Sequence, residues 1–263
     1  MVRRVTGLSC PIGYGFSNDC AGIMRDITRK EEVIMRLRAI VVLTVALALS
    51  VMFNPSRSSA ANKGTSKIND SIEVLDQIMS IPERGIPPAL LRNAKGIAII
   101  PGVIKAGFII GGKHGTGIVV VRENGAWSNP AFVSITGGSV GWQIGAESTD
   151  VILVFKSRKG VNSLLKSKFT LGADAAVAAG PVGRQAEAAT DVQLKAEIYS
   201  YSRSRGLFAG ISLEGASLQI DDEADDAFYG KDGLRAREVF TDKALRAPAV
   251  VKKLKEVLAR YTR

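Results

Sequence analysis

The sequence predicts an α+β fold: a largely antiparallel, glycine-rich sheet with a barrel-like core, short N-terminal helices and a C-terminal amphipathic helix. Three observations support this prediction. Short β-branched runs recur from Ile97 to about Ile220 and are bounded by glycine, proline or polar residues, as buried strands are. Apolar residues at helical spacing flank this region on both sides. The 263 residues include 27 glycines, which suits many turns and close backbone contacts.

Helices are predicted on either side of the strands. Ser66–Ser80 carries apolar residues at helical spacing and follows a short linker, Ala61–Thr65. A second short helix, Ala89–Lys95, starts after two prolines and is ended by Gly96. Beyond the sheet, Pro248–Tyr261 predicts the C-terminal amphipathic helix.

The stretch from Ala94 to Arg122 is the centre of the predicted sheet. Its apolar runs are predicted to be separate strands, with the glycines as turns between them. Further along, the unbroken run Val151–Phe155 is typical of a central strand that is buried on both faces. The predicted segments are the strands Ile97–Ile100, Phe108–Ile110, Ile118–Val121, Trp127–Ile135, Trp142–Gly145 and Val151–Phe155, the helical Gly160–Ser167, and the strands Phe169–Ala175, Lys195–Ser202, Leu207–Leu213 and Ala216–Ile220.

The first sixty residues contain an export pattern. Two arginines precede the apolar run Ala39–Phe53, and small residues follow it up to Ala60. The run is shorter than the ~20 residues of a membrane span, so it predicts a signal peptide over residues 35–60, cleaved after Ala60. Met35 is then the expected start, and residues 1–34 are a mis-assigned extension. An uncleaved anchor helix is the alternative. We expect an exported protein, periplasmic or extracellular, that is peripheral on the membrane.

Composition limits the chemistry of the main body. The chain has two cysteines, Cys10 and Cys20, and both precede the export signal. Disulfides, thiolate metal sites and a cysteine nucleophile are therefore excluded from the rest of the chain. A single histidine leaves little scope for acid–base or metal chemistry. We therefore predict no metal site and no cofactor. The formal charge of +10 favours anionic partners.

Two glycine-rich segments resemble enzyme motifs without completing them. Gly107–Lys113 nearly matches a phosphate-binding P-loop, but His114 replaces the required Ser or Thr and a strand follows in place of a helix. Gly137–Gly141 matches a nucleophile elbow, yet the histidine precedes it, contrary to the chain order of that class. The prediction is therefore that the chain is not an enzyme. The modest charge excess also argues against nucleic acid as a partner.

Cations at the glycine breaks are the candidate functional residues. Loops and turns at one end of the sheet are expected to gather Lys95, Lys105 and Lys113 beside Arg122 and His114 into an anion site. Each Lys or Arg near an anionic membrane contributes about 1 kcal/mol, so such a group would give salt-sensitive docking. The alternative is that these side chains only point into solvent.

Six segments together resemble one known family. They are AKGIAIIPGVIKAGFIIGGKHGTGIVVVR (94–122), WSNPAFV (127–133), GGSVGWQIGAESTDVILVF (137–155), KFTLGADAAVAAGPVGR (168–184), KAEIYSYSRSRGLFAGISLEGASL (195–218) and FYG (228–230). Over about Ile68–Gly230 the sequence is similar to the SYLF-domain family, a lipid-binding module of eukaryotic endocytic and actin-regulating proteins and of many exported bacterial proteins.

The resemblance implies phospholipid binding, with a preference for phosphoinositides in eukaryotic members, and no enzymatic activity. It places the helix Ile68–Met79 and Lys67 where those members contact the membrane. As an exported bacterial member, this chain is not expected to share their actin or endocytic roles, and its predicted partner is anionic phospholipid in general. The expected domains are a SYLF-like lipid-binding domain over residues 66–230 and a C-terminal helical segment over residues 231–263. The alternative is a structural envelope protein whose sheet binds another protein.

Overall fold

A curled sheet of seven strands, with helices on both faces, organises the chain. The computed structural model describes residues 57–81, 85–166, 169–181, 196–204, 213, 215–242 and 244–262. These residues belong to the unit Ser56–Arg263. The predicted extension over residues 1–34, the signal-peptide residues 35–56 and nearly all of the predicted strand Leu207–Leu213 lie outside the described residues.

The α+β class and the mostly antiparallel sheet confirm the predicted fold. Among the described strand pairs, β5 and β6 are parallel and the others are antiparallel. The helices are α1 (Arg57–Met79), α2 (Pro88–Asn93), α3 (Arg158–Leu164), α4 (Asp222–Tyr229), α5 (Ala236–Thr241) and α6 (Ala249–Tyr261). The strands are β1 (Gly96–Glu123), β2 (Ala126–Trp127), β3 (Ala131–Phe155), β4 (Phe169–Thr170), β5 (Val177–Ala179), β6 (Ile198–Ser204) and β7 (Ser217–Ile220).

Two long strands, β1 and β3, form the centre of the sheet. They pair from Gly96 opposite Phe155 to Val119 opposite Ala131. The prediction of several short strands with glycine turns is therefore wrong for this region, because the glycines lie within the strands. Register shifts interrupt the ladder between Ile100 and Val103 and at Gly107, and such irregularities let long strands bend without ending.

β1 doubles back, so that its two halves lie side by side. The Arg122 N–H donates to the Lys95 carbonyl at 2.9 Å, which joins the end of the strand to the residue before its start. A Cβ atom on Gly117 would lie 2.1 Å from the Ile99 carbonyl oxygen. Only glycine permits this approach of the two halves. The sheet therefore curls through a contact between backbones.

Near the ends of β1 and β3, each face of the sheet is buried in its own hydrophobic core. Ile97 and Ile99 point into the first core, which α1, α2, α4 and α6 cover. Ala98 and Ile100 point into the second core, which α3 and α5 cover. Because side chains alternate along a strand, burial on both faces requires an unbroken apolar run. This confirms the prediction for Val151–Phe155, whose five residues are fully buried.

The helices at both ends of the sheet pack as amphipathic elements. The expected linker Ala61–Thr65 is wrong, because α1 already begins at Arg57. Gly64 lies against the ring of Phe228 on α4, so this part of the chain has a packing partner that its sequence alone does not indicate. The C-terminal helix is confirmed as α6, with Val251, Leu254, Val257 and Leu258 buried.

Gly117→Ala should destabilise the fold strongly, because the added methyl group would collide with backbone that cannot move aside. We expect the free energy of unfolding to fall by more than about 2 kcal/mol, measured by urea denaturation. Gly138→Ala is the matched control, since its Cβ would meet no atom within 4 Å. Equal midpoints for the two variants would contradict the close contact at Gly117.

Candidate anion-binding surface

The structure separates the six predicted site residues into three places. One group is at the end of the sheet where β1 begins and ends, a second is further along β1, and a third position is on α1. The first group contains Lys95 and Arg122, the second contains Lys105, Lys113 and His114, and the third is Lys67.

The first group belongs to a larger cationic surface, which we call the end patch. The Arg122 N–H binds the Lys95 carbonyl, and its guanidinium donates to the carbonyl of Arg92 on α2. Arg158 on α3 donates from Nη2 to the Arg122 carbonyl at 3.1 Å. Backbone contacts therefore bring four segments together. The end patch consists of Arg92, Lys95, Arg122, Lys156, Arg158 and Lys159.

Two carboxylates balance part of this charge. Glu123 accepts from Arg158 at 2.7 Å, and Glu197 pairs with Lys159 at 3.1 Å. These surface pairs contribute little stability, because water and salt screen them. Apart from Lys156, five cations face these two carboxylates, which leaves a positive surplus. The Arg158 and Lys159 side chains are 53% and 76% exposed, and Arg92 and Lys95 are also exposed, so a ligand can reach the patch.

Arg122 is held in place by stacking. Its guanidinium carbon is 4.7 Å from the ring centre of Trp127, a cation–π distance. The indole N–H of Trp127 donates to the Thr262 hydroxyl at 3.3 Å, which links β2 to the end of α6. Arg122 Nε is buried and has no hydrogen-bond partner among the described residues. The charge at the centre of the patch is therefore fixed in position by the fold.

Sequence reasoning missed four members of the end patch. Arg92, Lys156, Arg158 and Lys159 lie in segments that meet only once the sheet has formed. One signal was present, because Lys156-Ser-Arg158-Lys159 directly follows the buried strand ending at Phe155. Three cations immediately after a central strand must emerge together at one end of the sheet.

Lys105 and Lys113 come together elsewhere on β1, and we call them the strand pair. Partial burial lowers the pKa of Lys113, and the nearby charge of Lys105 lowers it further. Lys105 is exposed and lies opposite Glu147 of β3 in the ladder. His114 is also exposed. The strand pair therefore lies along the middle part of β1, apart from the end patch.

A buried acid, Asp225, anchors α4 to β3. Its side chain is fully buried, with Oδ1 accepting the Phe132 N–H at 2.8 Å and Oδ2 without a partner among the described residues. Burial raises the pKa of Asp225 to about 8, and the charges of Asp222, Asp221 and Asp226 act in the same direction. The group is therefore mostly protonated at neutral pH. Burial also raises the pKa of Tyr229, to which the Asp225 charge contributes.

The described residues contain neither a group of metal ligands nor a membrane-spanning helix. No three His, Cys, Asp or Glu side chains there are close enough to share a metal ion. None of the helices among the described residues has the length and apolar character needed to cross a membrane.

Comparison with known proteins gives consistent matches. The Ysc84 family model, described as "Las17-binding protein actin regulator", matches residues 136–261. SH3 domain-containing YSC84-like protein 1 of Xenopus laevis is 39% identical over 183 residues, which are 69% of this chain and 54% of that protein. LAS seventeen-binding protein 3 of Saccharomyces cerevisiae is 36% identical over 200 residues, which are 74% of this chain and 43% of that protein. The SH3 domain-containing YSC84-like protein 1 of Homo sapiens is 36% identical over 216 residues, which are 80% of this chain and 62% of that protein.

The curled sheet, its covering helices and its cationic end define an α+β domain with a positively charged surface at one end of the sheet. The chain belongs to the SYLF-domain family, to which the Ysc84 model and these relatives also belong, and this confirms the predicted resemblance. The chain spans about half the length of the curated relatives it matches.

Asp225 should give the fold an unusual pH dependence. The carboxyl group has a pKa near 3.9 in an unfolded chain and about 8 in the fold, so the folded state binds the extra proton between these values. The contribution of Asp225 to the free energy of unfolding is therefore greatest at low pH. From about pH 4 to 8 this contribution falls by up to about 1.4 kcal/mol per pH unit. We expect the difference in unfolding free energy between the unchanged chain and Asp225→Asn to fall along this range, measured by urea denaturation.

Glu223→Gln is the control for this prediction, because Glu223 is an exposed carboxylate on the same helix. Its difference from the unchanged chain should stay nearly constant over the same pH range. Parallel curves for Asp225→Asn and the unchanged chain would show that Asp225 is ionised in the folded state.

Proposed function

We propose that this chain is a non-enzymatic domain that binds the surface of anionic phospholipid membranes through the end patch. The observation that carries the proposal is the cluster of Arg92, Lys95, Arg122 and Arg158, which hydrogen bonds to backbone carbonyls bring together around the stacked Arg122. At about 1 kcal/mol per cation near an anionic surface, the exposed members supply enough attraction for reversible docking. Such docking weakens as salt is added, because the Debye length shrinks.

The enzyme-like segments support the non-enzymatic part of the proposal. Gly107–Lys113 and Gly137–Gly141 both lie inside long strands, and Lys113 is paired with Gly137. A P-loop needs a helix after its glycines, and a nucleophile elbow needs a sharp strand-to-helix turn. Neither geometry is present at these two segments.

We further propose that the domain acts outside the cytoplasm. The apolar run Ala39–Phe53, with arginines before it and small residues after it, supports a signal peptide over residues 35–60. An exported domain with a basic surface meets anionic phospholipid as the headgroups of a membrane. The periplasmic or extracellular side of a membrane is therefore the proposed location.

Protein binding is the second candidate function. The relatives favour it, because the yeast protein is named for binding LAS seventeen and the family model is described by the same partner. For this chain the partner would be an envelope protein bound through the sheet or the end patch. Capture of a defined envelope protein by a chain that ignores anionic vesicles would support this candidate over the first.

Reversing charge in the end patch should weaken membrane binding. Arg92→Glu with Lys95→Glu changes two exposed side chains whose charged groups make no hydrogen bond or ion pair with the described residues, although their backbones do. We expect at least a tenfold loss of affinity in co-sedimentation of the full chain with vesicles containing phosphatidylglycerol. The unchanged chain should also bind less as salt is raised, and neutral phosphatidylcholine vesicles should not retain it.

Two charge-matched variants locate the surface. Lys252→Glu with Lys253→Glu makes the same change on the exposed side of α6 and should leave binding within about twofold. Lys105→Glu with Lys113→Glu tests the strand pair. If this variant loses binding while the Arg92–Lys95 variant keeps it, the docking surface is on the strand pair. Equal binding to neutral and anionic vesicles would reject the proposal.

A further inference from the structure

A groove lies beneath the N-terminal part of α1, away from the end patch. Gly64 of α1 forms one wall, and Ala224 and Ala227 of α4 form the other. Its floor comes from the sheet, at Gly117 of β1 and Phe132 of β3. The groove has a volume of about 210 Å³ and is open to solvent. It is therefore accessible to a small ligand.

The groove is narrow because the two helices approach each other closely. A Cβ atom on Gly64 would lie 2.5 Å from Phe228 and 3.0 Å from Phe132, so only glycine allows α1 to pack at this depth. The rings of Phe132 and Phe228 meet edge to face at 5.2 Å and fix the inner end. Small or apolar residues line most of the surface, which suits a hydrocarbon and offers few partners for a polar ligand.

The charged groups around the groove favour an anionic head. Lys63 and Lys67 are one helical turn apart on α1 and both border it. Neither ammonium group has an ion pair or hydrogen bond with any described residue. The facing carboxylate, Asp221, is already used at the start of α4, where it accepts the Ala224 N–H at 3.0 Å. The two lysines against this one carboxylate leave a net positive charge at the groove.

We propose that this groove binds a single-chain anionic lipid, a free fatty acid, with the acyl chain against Gly117 and Phe132 and the carboxylate between Lys63 and Lys67. The proposal deepens the proposed phospholipid function and rests on it for the class of ligand, but it uses different residues. The volume holds part of one acyl chain and excludes the paired chains of a phospholipid. The groove is thus a monomer site, whereas the end patch contacts a surface.

Isothermal titration of the full chain with decanoate, below its micelle concentration, tests the site. We expect one site per chain, with affinity rising up to about fourfold per methylene from hexanoate to decanoate as buried apolar area increases. Decyltrimethylammonium carries the same chain with a cationic head and should bind much more weakly. If it binds as tightly as decanoate, the proposed role of the two lysines is wrong.

Substitutions in the groove separate its two parts. Ala227→Leu fills the space and should abolish decanoate binding, whereas Ala227→Ser keeps the space and should retain it; thermal melting checks that both are folded. Thr116→Leu fills the groove from the sheet side and should also abolish decanoate binding. Thr116→Val keeps the side-chain volume and is its control. Lys63→Gln with Lys67→Gln should weaken binding roughly three- to tenfold. Lys252→Gln with Lys253→Gln should not change it. Unchanged binding by both filled variants would overturn the proposal.

Vesicle co-sedimentation of the same variants distinguishes this inference from the proposed function. The filled-groove variants should still sediment with phosphatidylglycerol vesicles, because the end patch is intact. Decanoate binding without vesicle binding would leave the groove standing and reject surface docking. Vesicle binding without decanoate binding would reject the groove as a fatty-acid site and leave surface docking standing.

Discussion

The fold depends on one backbone contact, the approach of the two halves of β1 at Gly117 and Ile99. Once these halves lie side by side, β3 bends in the same way as β1. The two strands can then pair from Gly96 to Val119 of β1. A side chain at Gly117 would separate the halves, and the curled sheet could not form in this way. The high glycine content of this region therefore reflects close approach within strands.

Burial of both faces of the sheet explains where the charges are. The apolar runs at the ends of β1 and β3, such as Ile97–Ile100 and Val151–Phe155, have a core on either side, so a charged side chain there would lose its hydration. Cations that flank these buried runs in sequence reach water where the runs end. Lys95, Arg122 and Lys156 come directly before or after buried runs. The end patch is thus a consequence of the same geometry that produces two cores.

The sequence was sufficient for features that depend on local periodicity. Helix α6 and the doubly buried Val151–Phe155 follow from the spacing of apolar residues alone. It was insufficient where distant segments meet. Glycines inside β1 look like turns until the second half of the strand is placed beside the first. The sequence identified Lys95 and Arg122 as candidate site residues but grouped them with Lys105. In the structure Lys105 lies apart from them, because β1 continues as one strand through glycines that look like turns in the sequence.

Phe132 connects the groove to the rest of the structure. Its N–H binds Asp225 and so fixes α4, while its ring packs on Phe228 and forms part of the groove floor. Gly64 in turn rests on Phe228, which sets the depth of α1. The width of the groove therefore depends on a buried acid whose pKa burial raises to about 8. Ionisation of Asp225 would place an unpaired charge between α4 and β3, so the groove wall is most secure under mildly acidic conditions.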